Sequence, residues 1–128
     1  MFRKCLLFAG LLIAVCALVY AAAASLDGKT FEGKTGEKGK TEAHDDSLMF
    51  ADGKFHSSAC DQYGFTPVAY KASQKNGVTT FTAEASSEKE GKINWKGTIK
   101  GDDCDATLVW KKAGQKDVEY WFKGSVKK

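Results

Sequence analysis

Gly39, Lys40 and Thr41 spell the Gly-Lys-Thr that closes a phosphate-binding loop. In such a loop, backbone amides wrap a phosphate and the lysine reaches its oxygens; a glycine about five positions before the second one makes the wrap. Here that position holds Lys34, and the nearest candidate, Gly33, is one residue too far. The following "EAHDDSLMF" carries no helical pattern, so no helix N-terminus presents amides to an anion. Residues 33–41 therefore read as a solvated, charged connection.

His44, Asp45 and Asp46, with His56 further on, are types that bind divalent metals. Their spacing matches neither a calcium loop nor a zinc helix, and adjacent aspartates on an extended segment point to opposite faces. Surface solvation is the expectation for both this group and Asp102, Asp103 and Asp105 in "GDDCD". No serine, base and acid form a hydrolase signature, and two histidines leave few acid–base groups near neutral pH. The expectation is no catalytic residues, no metal and no cofactor.

Cys60 and Cys104 are the cysteines outside the N-terminal apolar run. Their acidic neighbours, Asp61 beside one and Asp102, Asp103 and Asp105 beside the other, disfavour thiolates. A disulfide between Cys60 and Cys104 is expected instead, contributing about 4 kcal/mol by loop closure. That expectation depends on an oxidising compartment. The compartment comes from residues 1–24: Arg3 and Lys4, then "CLLFAGLLIAVCALVY", then "AAAAS". This order of charge, apolar run and small residues reads as a secretory leader cut between Ala24 and Ser25. The protein is then exported, periplasmic or extracellular, with no stable membrane insertion after cleavage.

Removing the leader also changes the charge. The whole chain carries +3, but the leader holds two basic residues and no acid, leaving 17 basic against 16 acidic side chains. A near-neutral surface of mixed sign has no pull toward nucleic acid.

The elements that position these residues are strands. Val68, Tyr70 and Ala72 fall on one face of an extended segment, as do Phe81, Ala83 and Ala85. The same period of two runs through Ile93, Trp95, Gly97 and Ile99, and through Cys104, Ala106, Leu108 and Trp110. Val118, Tyr120, Phe122, Gly124 and Val126 complete the set, and Asn76-Gly77 is a strong hairpin signal. Upstream, "SLMF-ADG-KFHS" reads as a shorter hairpin with Leu48, Phe50 and Phe55 facing inward, and "KTFEGKT" as a first strand ending near Thr35. No segment has convincing amphipathic helical periodicity, although "DQYG" suits a helical turn. About eight short strands in one domain, 25–128, avoid open edges most simply as an up-and-down antiparallel β-barrel. The alternative is a β-sandwich or partly open barrel.

"LDGKTFEG", Leu26 to Gly33, resembles the opening Gly-x-aromatic strand of the calycins, the group of lipocalins and fatty-acid-binding proteins. Thr30 stands where that group commonly has tryptophan, and Phe31 supplies the nearest aromatic. "DSLMFADGKFHSSACDQYGF" and "WFKGSV" are similar to an uncharacterised group of small bacterial exported proteins. These resemblances imply a small barrel, with a ligand cup as an option, and no substrate.

The aromatic residues carry the functional expectation. Tyr70, Phe81, Trp95, Trp110 and Tyr120 share the inward face, where they either line a cavity for a small apolar ligand or fill a compact core. Trp121 falls on the opposite face, beside Glu119 and Lys123. There it serves as an anchor for a protein partner or homodimer, or is covered by the protein itself. The functional expectation is a non-enzymatic exported binding protein, with a structural or inhibitory protein-interaction module as the alternative.

Overall fold

The computed structural model describes residues 22–128. The leader expected over 1–24 lies outside the described residues except for its last three positions.

Nine strands follow one another: β1 (Ala22–Ala23), β2 (Thr30–Glu37), β3 (His44–Ala51), β4 (Lys54–Ser57), β5 (Val68–Lys75), β6 (Val78–Ser87), β7 (Gly91–Lys100), β8 (Asp103–Lys111) and β9 (Val118–Val126). A 3-10 helix, Ser58–Tyr63, interrupts the series between β4 and β5. From β2 onward each strand pairs antiparallel with the next, and β9 returns to pair with β2 from Phe31–Val126 to Glu37–Tyr120. The result is a closed eight-stranded antiparallel barrel, which leaves the main wall without a free edge. β1 is an addition to it: Ala22 and Ala23 pair with Gln74 and Ser73, beyond the reach of the short β4.

The period of two in the sequence becomes the inside and outside of this wall. On β7 and β8, Ile93, Trp95, Ile99, Cys104, Ala106 and Leu108 are buried, whereas Lys96, Lys100, Asp103, Asp105 and Thr107 between them are exposed. Tight turns set the register at the lower end. Asn76 and Gly77 have φ of 53° and 79°, and Asp52 and Gly53 have φ of 55° and 74°, the positive pair that a two-residue hairpin turn requires.

The lower half of the barrel is packed solid by aromatic rings. Phe50 sits at the centre, with ring centroids 4.9 Å from Tyr70, 5.0 Å from Phe81 and 5.1 Å from Phe55. Phe55 continues the stack to Trp95 at 5.0 Å. Edge-on and tilted contacts at these spacings add to the apolar burial of each ring. Gly97 makes the room, because a Cβ there would collide with the Phe81 ring.

The N-terminal segment closes the lower end. Leu26 is buried beneath the stack, its amide donates to the Tyr70 hydroxyl at 2.9 Å, and that hydroxyl donates to Asp27 Oδ1 at 2.7 Å. Asp27 in turn accepts the Gly53 amide. The sequence places Tyr70 as an inward aromatic; its ring does join the core, while its hydroxyl ties down this plug.

The expected disulfide is not formed: Cys60 and Cys104 are free thiols. Cys104 pairs with Ile99 and Gly124 near the lower turns. Cys60 belongs to the 3-10 helix at the upper end, where it lines the same cavity as Trp110. From Cys104 to Trp110 along β8 is roughly 20 Å at about 3.3 Å per residue. A disulfide requires Cα atoms within about 7 Å, and these two free thiols sit towards different ends of the barrel.

Candidate binding site

The upper half of the barrel contains a cavity of about 550 Å³, open at the mouth. Its wall is built from inward positions near the upper strand ends: Thr35 on β2, Asp46 on β3, Ile93 on β7, Leu108 and Trp110 on β8, and Tyr120 on β9. Where the lower half carries rings, the upper inward positions of β6 carry Ala83, Ala85 and Ser87. The chain after the 3-10 helix folds against them. Ser87 Oγ donates to the Tyr63 carbonyl at 2.8 Å, Gly64 turns the chain with φ of 86°, and Phe65 enters the interior.

The 3-10 helix is thus a partial cover, and Asp46 holds it. Ser57 Oγ donates to the two carboxylate oxygens of Asp46 at 2.7 and 2.8 Å, and the Ala59 amide donates to Oδ1 at 3.0 Å. Ser58 Oγ donates more weakly at 3.4 Å, and accepts the Ser47 amide. Asp46 is only 4% exposed. Loss of water raises its pKa above the ordinary carboxylate value, and these donors offset only part of that shift. Asp45, exposed at the rim of the mouth, behaves oppositely: a 2.6 Å bond from Lys34 Nζ lowers its pKa.

Other polar groups at the mouth are also engaged. Trp110 Nε1 donates to the Glu90 carbonyl, while the Glu90 carboxylate meets Lys112 Nζ at 3.2 Å. Burial, then the Glu37 carboxylate, raises the pKa of the Tyr120 phenol. Burial also pushes the Cys60 thiol up to about 11, with Asp46 and Asp61 adding to the shift, so it is a poor nucleophile at neutral pH.

The five aromatics singled out by alternation divide between the two halves. Trp110 and Tyr120 line the cavity, whereas Tyr70, Phe81 and Trp95 belong to the packed core. Cavity and filled interior thus occupy different halves of one barrel. Residues 33–41 border the cavity only through Thr35, because β2 runs on to Glu37. Asp46 departs from the expected surface role, although it stands two and four residues before inward Leu48 and Phe50. The same alternation, extended upstream, identifies it. Phe65 lacked any such signal, because it lies in the irregular segment between the helix and β5.

Trp121 points outward yet is half-buried, its ring lying against Gly36 and its carbonyl accepting Thr35 Oγ1 at 2.7 Å. Tyr63, about half exposed, is the large apolar residue most open to solvent among the described residues. His56 lies 3.7 Å from Asp61, and Asp102 lies 3.1 Å from Lys128, at opposite ends of the molecule. Among the described residues no three His, Cys, Asp or Glu side chains are grouped to hold a metal ion, and no helix is long and apolar enough to cross a membrane.

No family model, curated protein or solved structure matches this chain, and the lipocalin and bacterial exported-protein resemblances gain no support from those comparisons. The assignment to a closed eight-stranded antiparallel barrel of calycin type rests on the strand pairing itself.

Proposed function

We propose that the protein is a non-enzymatic exported binding barrel that carries a small, mainly apolar ligand in its upper cavity. The cavity supports this reading: about 550 Å³, with walls of Phe65, Ile93, Leu108, Trp110 and Tyr120. That size and this mixture of apolar wall and few polar groups suit a small-molecule pocket. A binding role is favoured over catalysis because Glu90 and the Trp110 indole nitrogen are engaged in contacts that shape the mouth, and the Cys60 thiol is a poor nucleophile. Export follows from the leader-like residues 1–24.

Titration with the neutral dye N-phenyl-1-naphthylamine tests the reading, followed by dye emission and quenching of tryptophan. The expected result is saturable binding of one dye per chain, weakened at least tenfold by Leu108→Trp, which fills the cavity. Absence of saturable binding, or equal binding by Leu108→Trp, overturns it.

A further inference from the structure

Resting on that reading, we propose a class for the ligand: an organic amine, with an apolar body held by the aromatic wall and an ammonium directed at Asp46. Two independent features converge on this chemistry.

The first is an uncompensated charge. Asp46 lines the cavity and is buried, yet among the described residues it has no lysine, arginine or histidine partner within ion-pair distance. Its contacts from Ser57, Ser58 and Ala59 are with neutral donors. A buried carboxylate stabilised only by dipoles gains more from an ammonium than an already paired one does. The other carboxylates at the mouth are already engaged, Asp45 by Lys34 and Glu90 by Lys112. No lysine or arginine contributes to the lining, and His44, exposed at the rim, is its sole basic side chain.

The second is the aromatic content of the same wall. Tyr63, Phe65, Trp110 and Tyr120 contribute to it. Aromatic faces attract cations through their quadrupoles, most strongly where water is excluded. An acidic ligand meets neither feature favourably, because it would bring a second negative charge toward Asp46.

The test compares three probes that share one tail: octylammonium, 1-octanol and octanoate. Each is titrated calorimetrically into the purified protein at neutral pH and moderate salt. Octylammonium is expected to bind at least tenfold more tightly than 1-octanol, and octanoate more weakly than either. Asp46→Asn, checked for native near-ultraviolet circular dichroism, should bring octylammonium to the affinity of 1-octanol. Equal affinities for octylammonium and 1-octanol in the unaltered protein overturn the amine assignment and leave the apolar pocket standing. An amine preference that survives intact in folded Asp46→Asn overturns the role of Asp46. Failure of all three probes to bind overturns the pocket and the amine assignment together. The three-probe order does not depend on the variant, so misfolding of Asp46→Asn leaves it decisive.

Discussion

Ser57 donates its hydroxyl across the β3–β4 pair to both carboxylate oxygens of Asp46, tying the barrel wall to the start of the helix that partly covers the cavity. Truncation and neutralisation should separate the roles of this carboxylate. Asp46→Ala leaves Ser57, Ser58 and the Ala59 amide without their acceptor and is expected to cost about 1–3 kcal/mol. Asp46→Asn retains an acceptor and removes a desolvated charge, so it should be close to neutral at pH 7. Urea denaturation of the two variants checks the difference.

The pH dependence at the same residue has a definite sign. Burial raises the Asp46 pKa, so the folded protein holds this proton more readily than the unfolded chain does. The original protein should gain stability relative to Asp46→Asn as pH falls through the raised value. The gain is complete below the ordinary aspartate range and absent at higher pH. Paired denaturation curves from pH 7 to pH 3 measure it; a relative loss on acidification would contradict the assigned shift.

The two thiols give a chemical prediction. Burial raises Cys60 to about 11 and Cys104 to about 12, leaving almost no thiolate at neutral pH. Intact mass should be the same with and without reductant. Alkylation by iodoacetamide at pH 7 should be slow in the folded protein and fast in urea. A gain of two hydrogens on reduction would restore the disulfide.

Gly97 should tolerate no side chain. The Phe81 ring occupies the position that a Cβ would take, and Ala106 lies close on the neighbouring strand. Gly97→Val should destabilise by about 1–3 kcal/mol through overpacking. A lowered urea midpoint with unchanged far-ultraviolet circular dichroism is the expected result.

The short β1 carries a stability prediction. Ala22 and Ala23 pair with β5, and the Ala24 amide donates to the Ala72 carbonyl at 3.0 Å. A chain beginning at Ser25 loses these bonds and leaves the outer edge of β5 unpaired at Ala72–Gln74. It should melt several degrees below one beginning at Ala22, since about 1 kcal/mol corresponds to 4–8 °C in a domain of about this size. Differential scanning calorimetry of the two proteins makes the comparison.

How much of this was legible depended on which physical signal each residue carried. The wall was readable because Ile93 and Trp95 alternate with Lys92, Asn94 and Lys96, and Cys104 and Ala106 with Asp103, Asp105 and Thr107, as a half-buried strand requires. Asp46 was readable in principle, since it shares the inward register of Leu48 and Phe50, but its acidic neighbour suggested a solvated pair. The cavity was much harder to see. It depends on Phe65 and the 3-10 helix meeting Leu108 and Tyr120, a coincidence of distant residues without sequence periodicity. Pairing Cys60 with Cys104 failed for a related reason: compartment and cysteine count say nothing about which end of a barrel each thiol occupies.

The β2–β9 seam has a consequence for how the molecule assembles. Phe31 pairs with Val126, so nearly the whole described chain separates the two sides of the closure. The other barrel pairings join strands adjacent in sequence and can form as local hairpins or their extensions. The seam carries the largest loop-closure entropy and should form late, with the last strand gating the first. During synthesis β2 has its second partner only once β9 is available, so the cylinder cannot close until the other pairings of the wall can already have formed.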